Sequence, residues 1–152
     1  MISTGKILLG ALYISIAVAV VVTAMLVVPS PETTKWKVLL GVNEINVMIA
    51  DTPALQAKGL GGRKSLKPNE GMLFIFPTLG FYGFWMKGME IPIDIIWFDE
   101  NYRIVDVWEN ATPDSYPKLS TPRALSQFVL EVPAGYFAEH HLKSGNMLEM
   151  IR

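Results

Sequence analysis

The 152-residue chain contains no cysteine, which excludes disulfides, thiolate zinc sites, iron–sulfur clusters and cysteine nucleophiles together. Histidine is almost as scarce, since His140 and His141 are the only two and they are adjacent. Neighbours on a helix point about 100° apart, so the pair cannot share a metal face as i, i+4 ligands do, and they read as surface side chains. No serine lies in a nucleophile-elbow setting, which leaves a histidine-dependent serine triad without support. Charge of one sign is also lacking: 13 basic and 14 acidic residues give a net charge of −1 and are scattered along the chain. Without a basic stripe to neutralise a row of phosphates, nucleic acid is not an expected partner.

Two glycine motifs fail on inspection. Around Gly59-Leu60-Gly61-Gly62-Arg63-Lys64-Ser65 the phosphate-loop pattern needs glycine where Lys58 and Arg63 stand. The dinucleotide fingerprint would need glycine or alanine at Lys64 and a strand leading directly in. These glycines read instead as a helix stop and a turn, and the sequence calls for no cofactor and no metal.

What is present begins with an uncharged apolar run, ILLGALYISIAVAVVVTAMLVV, over residues 7–28. At about 1.5 Å rise per residue it makes roughly 33 Å of helix, matching a hydrocarbon core. A cleaved secretory signal usually has a shorter apolar region and a small-x-small site, whereas this run closes on Met25-Leu26-Val27-Val28-Pro29. The expectation is an uncleaved single-pass anchor in the lipid bilayer, stopped by Pro29 and Pro31. Residues 1–6 are then an N-terminal tail, 29–35 a linker and 36–152 a β-rich globular domain. Lys6 on one side and Lys35 and Lys37 on the other nearly balance, and the usual topology of a short-tailed anchor places the domain outside the cytoplasm. Ala11, Ser15, Ala19 and Thr23 form a small-residue stripe where a second helix could approach.

In the body, residues 36–40 and 44–50 read as a hairpin around Gly41-Val42-Asn43. Thr52 as N-cap, Pro53 at the first helical position and Gly59 as stop predict a short helix over 52–58. Runs rich in β-branched and aromatic residues predict strands over 72–76, 81–86, 91–98, 103–109, 127–132 and 147–151. A second short helix is expected over 136–142, and Pro113, Pro117 and Pro122 mark 110–124 as a long irregular loop. Eight short strands and two small helices imply a mainly β single domain, a compact closed barrel or sandwich, because closure removes exposed edges.

The densest unusual segment is 81–98. On its second strand Ile93, Ile95 and Trp97 share one face and Asp94, Ile96 and Phe98 the other, which sets a carboxylate in an apolar row. Such burial is costly unless the group is paired or hydrogen-bonded, and Lys87 and Arg63 are the candidate partners. Glu131 is the other acid embedded in a strand, sharing a face with Val129 opposite Phe128, Leu130 and Val132. Trp85, Met86 and Lys87 end a strand at a rim.

Several of these motifs occur together in a known family. The chain resembles the domain of unknown function 192 family, also called uncharacterised protein family 0127, over about residues 36 to 151. The resemblance rests on Ala50-Asp51-Thr52-Pro53 with Gly59-Leu60 and Arg63, on Glu70-Gly71-Met72-Leu73-Phe74, and on Phe84-Trp85-Met86-Lys87 with Ile91-Pro92-Ile93-Asp94-Ile95. Val129-Leu130-Glu131-Val132-Pro133-Ala134-Gly135 completes it. It implies a compact β-rich domain, often exported or anchored, with no established activity. The family usually has Asn-Thr after the lysine and methionine after Gly-Leu, where this chain has Gly88-Met89 and Gly61.

Arg63, Trp85, Met86, Lys87, Asp94 and Glu131 thus form the candidate functional cluster, open to five readings, one of them a carboxylate metal site, which needs at least three convergent oxygens. The charged members could be buried pairs that fix strand register. Trp85, Met86 and Lys87 could form the rim of a binding module for an envelope glycan or peptide, with the proline loop as second wall. Asp94 or Glu131 could act as general acid or base in a hydrolase-like enzyme, with Lys87 or Arg63 stabilising an anion. The domain could equally be a structural subunit of a membrane-protein complex.

Overall fold

The computed structural model describes residues 36–151. The predicted anchor at 7–28, with the tail at 1–6 and the linker at 29–35, lies outside the described residues. Among the described residues no helix is long and apolar enough to cross a membrane.

Strands β1 (Trp36–Leu40) and β2 (Asn43–Ala50) pair antiparallel about Gly41, whose φ of 66° supplies the left-handed turn. Helix α1 (Pro53–Lys58) starts where the Thr52 hydroxyl accepts from the Leu55 N–H at 3.4 Å and Pro53 fixes φ. It stops at Gly59, with φ 51°. β3 (Glu70–Gly80) then lies parallel to β2, from Asn46 opposite Glu70 to Ala50 opposite Phe74. A parallel pair needs a crossover of about a dozen residues, which α1 and the loop after it provide.

The chain continues through β4 (Phe84–Trp85), β5 (Ile93–Phe98), β6 (Ile104–Ala111), β7 (Leu119–Ser120), β8 (Ser126–Pro133), α2 (Tyr136–Glu139) and β9 (Leu148–Ile151). Seven strands form one sheet in the order β6-β5-β8-β3-β2-β1-β9, and β4 and β7 form a separate ribbon. The edges meet at one point, the Arg103–Met147 bridge, where the Leu148 N–H donates to Tyr102 O and the Ile104 N–H to Asn146 O, both at 2.9 Å. The sheet is therefore a curled half-barrel and not a closed one, because β6 and β9 touch only through this bridge and its flanking bonds.

Three other expectations are corrected. The run at 81–86 is strand only at Phe84–Trp85, because Tyr82 folds back to stack on Phe76 at 3.6 Å and donates its hydroxyl to Thr78 O at 2.7 Å. The helix at 136–142 shrinks to Tyr136–Glu139. The segment at 110–124 is not wholly irregular: β6 runs to Ala111, a 3-10 turn occupies Pro113–Ser115 and β7 follows. Asp106 pins its end, accepting from the Arg123 N–H at 2.8 Å and from its guanidinium at 2.5 Å. Burial opposes ionisation of Asp106, yet the Arg123 bonds and the Val107 N–H hold its carboxyl below the usual carboxylate range.

Both faces of the central strands are buried. One cluster takes residues from all seven strands of the curl, among them Val38, Ile45, Leu73, Ile96, Ile104, Leu130 and Leu148. The other covers the opposite face with Met72, Phe74, Phe84, Met86, Ile95, Trp97 and Val129. This explains why β5 reads as an unbroken apolar run: all six of its residues are buried. Gly71 marks the tightest approach, since a Cβ there would lie 2.6 Å from Glu131 O and 3.3 Å from Val132 Cγ1. Gly71→Ala is expected to cost about 1–3 kcal/mol through forced backbone shifts, read as a lowered thermal unfolding midpoint.

Candidate functional site

The site is assembled on the second of these faces. In β8 the register sets Glu131 between Met72 of β3 and Ile95 of β5, two apolar neighbours that offer its carboxyl nothing. Gly59, in its left-handed conformation, lets the chain after α1 pass close by: a Cβ on it would sit 3.6 Å from Phe74 Cζ and 3.8 Å from Glu131 Oε2. The Leu60 N–H reaches the carboxyl, but Oε2 is buried without a hydrogen-bond partner. Burial pushes Glu131 up to about 8, with the Leu60 N–H offsetting part of the rise. At neutral pH it is mainly a neutral acid, and an unmet buried polar atom of this kind costs about 1–3 kcal/mol.

Glu131 and Leu60, both buried, form the inner end of a cavity of about 450 Å³. Phe74, Phe76, Tyr82 and Phe84 make its walls, and Lys58, Trp85, Lys87 and Leu119 stand at the mouth. The walls are fixed by their own packing: Phe84 meets Phe74 edge-on at 4.9 Å and Trp97 at 5.9 Å, while the Trp97 indole N–H donates to Tyr82 O at 2.8 Å. Trp85, half exposed, contacts Tyr116 at 6.1 Å and carries Lys87 Nζ 5.4 Å from its ring centre.

The structure therefore brings Trp85, Lys87 and Glu131 to one cavity and sends the other candidates elsewhere. Met86 is buried in the core at 1% exposure and does not line the cavity. Arg63 points its guanidinium to Met48 Sδ at 2.7 Å. Asp94 is fully buried on the opposite sheet face, where Oδ1 accepts from the N–H groups of Asn110 and Gly135 and Oδ2 from that of Phe137. The ion pairs among the described residues are Lys37–Glu44, Lys67–Glu70 and Arg123–Asp106, so the expected pairing of Asp94 with Lys87 or Arg63 is replaced by backbone capping. No cluster of three or more metal-ligating side chains is found among the described residues. Of the histidines, His140 stacks on Tyr136 at 3.9 Å, far from this chemistry.

The aromatic walls were not among the candidates. Phe74 and Phe76 alternate with Met72 on the face of β3 that adjoins Glu131, but only the strand register reveals this.

A curled half-barrel with an aromatic-walled cavity places the chain among small, mainly β domains. The chain belongs to the DUF192 family, described as "Uncharacterized ACR", which it matches over residues 37–150. It is 29% identical over 104 residues to UPF0127 protein TK1120 of Thermococcus kodakarensis, a stretch covering 67% of this chain and 62% of that protein. Two solved structures share the fold. A candidate transcription regulator from Sinorhizobium meliloti 1021 is 26% identical with a TM-score of 0.70, over 76% of this chain and 91% of its own. A protein of unknown function from Novosphingobium aromaticivorans is 28% identical with a TM-score of 0.71, over 79% and 89%.

Proposed function

We propose that the domain is a binding module that takes a small, largely apolar ligand into the Glu131 cavity, held at the cell envelope by the membrane anchor predicted at 7–28. The observation that carries this reading is the unpartnered Glu131 Oε2 at the inner end of an aromatic-walled space. Buried polar atoms are almost always satisfied, and a ligand atom is the partner this one lacks. In the hydrolytic alternative Asp94 drops out as the acid or base, because both its oxygens are taken by backbone donors, which leaves Glu131 as its one carboxyl candidate. A regulatory role like that in the description of the Sinorhizobium protein would need a basic face, and the charge of −1 is scattered.

The test is a thermal-shift screen of the full chain against small aromatics, short peptides and envelope glycan fragments. A ligand at about 100 times its Kd should stabilise the protein by roughly 2.7 kcal/mol. Trp85→Ala, at the half-exposed rim, should weaken that ligand about tenfold without lowering the unliganded midpoint much. A screen in which nothing shifts the wild type more than the Trp85→Ala protein would refute the reading.

A further inference from the structure

Resting on that reading of the cavity, we propose that its ligand is an organic anion with an aromatic-sized apolar body. A hydrogen-bond acceptor at its inner end takes the proton of Glu131, and its anionic group sits at the mouth with Lys58 and Lys87.

The charged groups that line the cavity are Glu131 inside and the two lysines outside. The lysines are brought together by the loop after α1. Gly62 N–H donates to Gly88 O at 2.9 Å, and the space above Gly61 is bounded by Lys58 O at 2.9 Å and Lys87 O at 3.9 Å. A Cβ on Gly61 would crowd Lys58 O and make ordinary contact with Gly88 O at 3.7 Å, so the two segments lie side by side at this residue. Neither lysine forms an ion pair among the described residues, so both charges remain available at the mouth. An anion entering there meets two positive charges, whereas a cation meets repulsion.

At the inner end the hydrogen-bond inventory decides the polarity of the contact. Glu131 is raised to about 8, so near neutrality its carboxyl is protonated. One oxygen accepts from the Leu60 N–H, and the proton falls to Oε2, a buried donor with no acceptor. A hydroxyl or carbonyl oxygen on the ligand satisfies it with one bond. An ammonium would bring three donors to a place with one carboxyl and aromatic walls, leaving two of them unmet. The titratable side chains around Glu131 are Lys58 at the end of α1, Lys87 after β4 and Tyr82 on the wall, while the flanking strands present Met72 and Ile95.

Three probes matched in ring and length, each with an acetyl carbonyl that can only accept at the inner end, separate the possibilities: 4-acetylphenylacetate, its amide, and 2-(4-acetylphenyl)ethylamine, titrated calorimetrically into the full chain. The expected order is anion, then amide, then amine, with about tenfold between the first and last. Lys58→Ala combined with Lys87→Ala, at two exposed positions that leave the core intact, should bring the anion down to the affinity of the amide. At pH 9 the wild type should bind the anion about tenfold more weakly than at pH 7, because the donor form is then a minor fraction. Glu131→Gln should remove that pH dependence, and Glu131→Leu should weaken binding at every pH.

The amine binding best, or a lysine-independent preference for the anion, would overturn the proposal. If none of the three probes binds while the wider screen finds a Trp85-dependent ligand, the anionic class alone is wrong. If both fail, the cavity reading falls with it.

Discussion

Asp94→Ala is expected to destabilise the domain by about 4–6 kcal/mol, a large share of the roughly 5–15 kcal/mol that holds a domain folded. Asp94 is fully buried, and its carboxylate joins three segments. Oδ1 accepts from the Asn110 N–H at 2.7 Å near the end of β6 and from the Gly135 N–H at 3.1 Å, while Oδ2 accepts from the Phe137 N–H at 2.8 Å. Gly135 is the N-cap of α2 and has no side chain to cap it, so a carboxylate from β5 performs that role. Its negative charge also suits the start of a helix. Asn110 is at φ 51°, a left-handed conformation that asparagine adopts more readily than other side chains, and its N–H is turned onto Asp94. Alanine would strand three backbone donors at once. Asn keeps one accepting oxygen but turns an amide NH₂ toward another donor, so Asp94→Asn should cost about 2–4 kcal/mol. Urea unfolding of the two variants measures this, and an Asp94→Asn protein as stable as wild type would show that the charge is not used.

Asp94 also shows what the sequence could and could not convey. A carboxylate in the row with Ile96 and Phe98 is visibly anomalous, because strand alternation fixes its face from neighbouring residues alone. Its partners are not visible. An opposite charge is the partner a sequence suggests, whereas every residue carries a backbone N–H, and the donors from Gly135 and Phe137 lie 41 and 43 positions away. The same divide runs through the fold. The β1–β2 hairpin and the Thr52, Pro53 and Gly59 signals around α1 are local and legible. The parallel β2–β3 pairing, the stacking of Tyr82 on Phe76 that cuts short the strand at 81–86, and the meeting of the sheet edges are long-range choices. The cavity sits at that boundary: Glu131 is conspicuous in its strand, but the Met72–Glu131 register and the approach of Gly59 turn it from an odd residue into the end of a pocket.

Glu131→Gln is expected to stabilise the domain in alkaline solution by up to about 5 kcal/mol and to have little effect in acid. The Glu131 acid is raised from the ordinary 4.5 to about 8 because burial penalises its charge, with the Leu60 N–H pulling the other way. Between those two values the folded protein keeps the proton and the unfolded chain releases it. Stability therefore declines as pH rises through this window, by about 1.4 kcal/mol per pH unit, and levels off above pH 8. The glutamine side chain has the same shape, accepts from the Leu60 N–H and cannot ionise, so it escapes the decline. Wild type and variant should match near pH 4.5 and diverge to their full difference by about pH 8.5, in chemical unfolding at fixed ionic strength. Asp106 bends the wild-type curve the other way. Its carboxyl lies below the ordinary 3.8, so the stability it lends is present above that value and lost as pH falls through its folded one. The two groups act in opposite windows: Asp106 withdraws stability in acid, and Glu131 withdraws it as pH rises toward 8. A ligand that accepts the Glu131 proton raises the acid further and stabilises most on the acidic side of pH 8. A cation would lower it and stabilise most on the alkaline side. The pH at which a ligand shifts the unfolding midpoint most therefore reports which end of the hydrogen bond the ligand supplies.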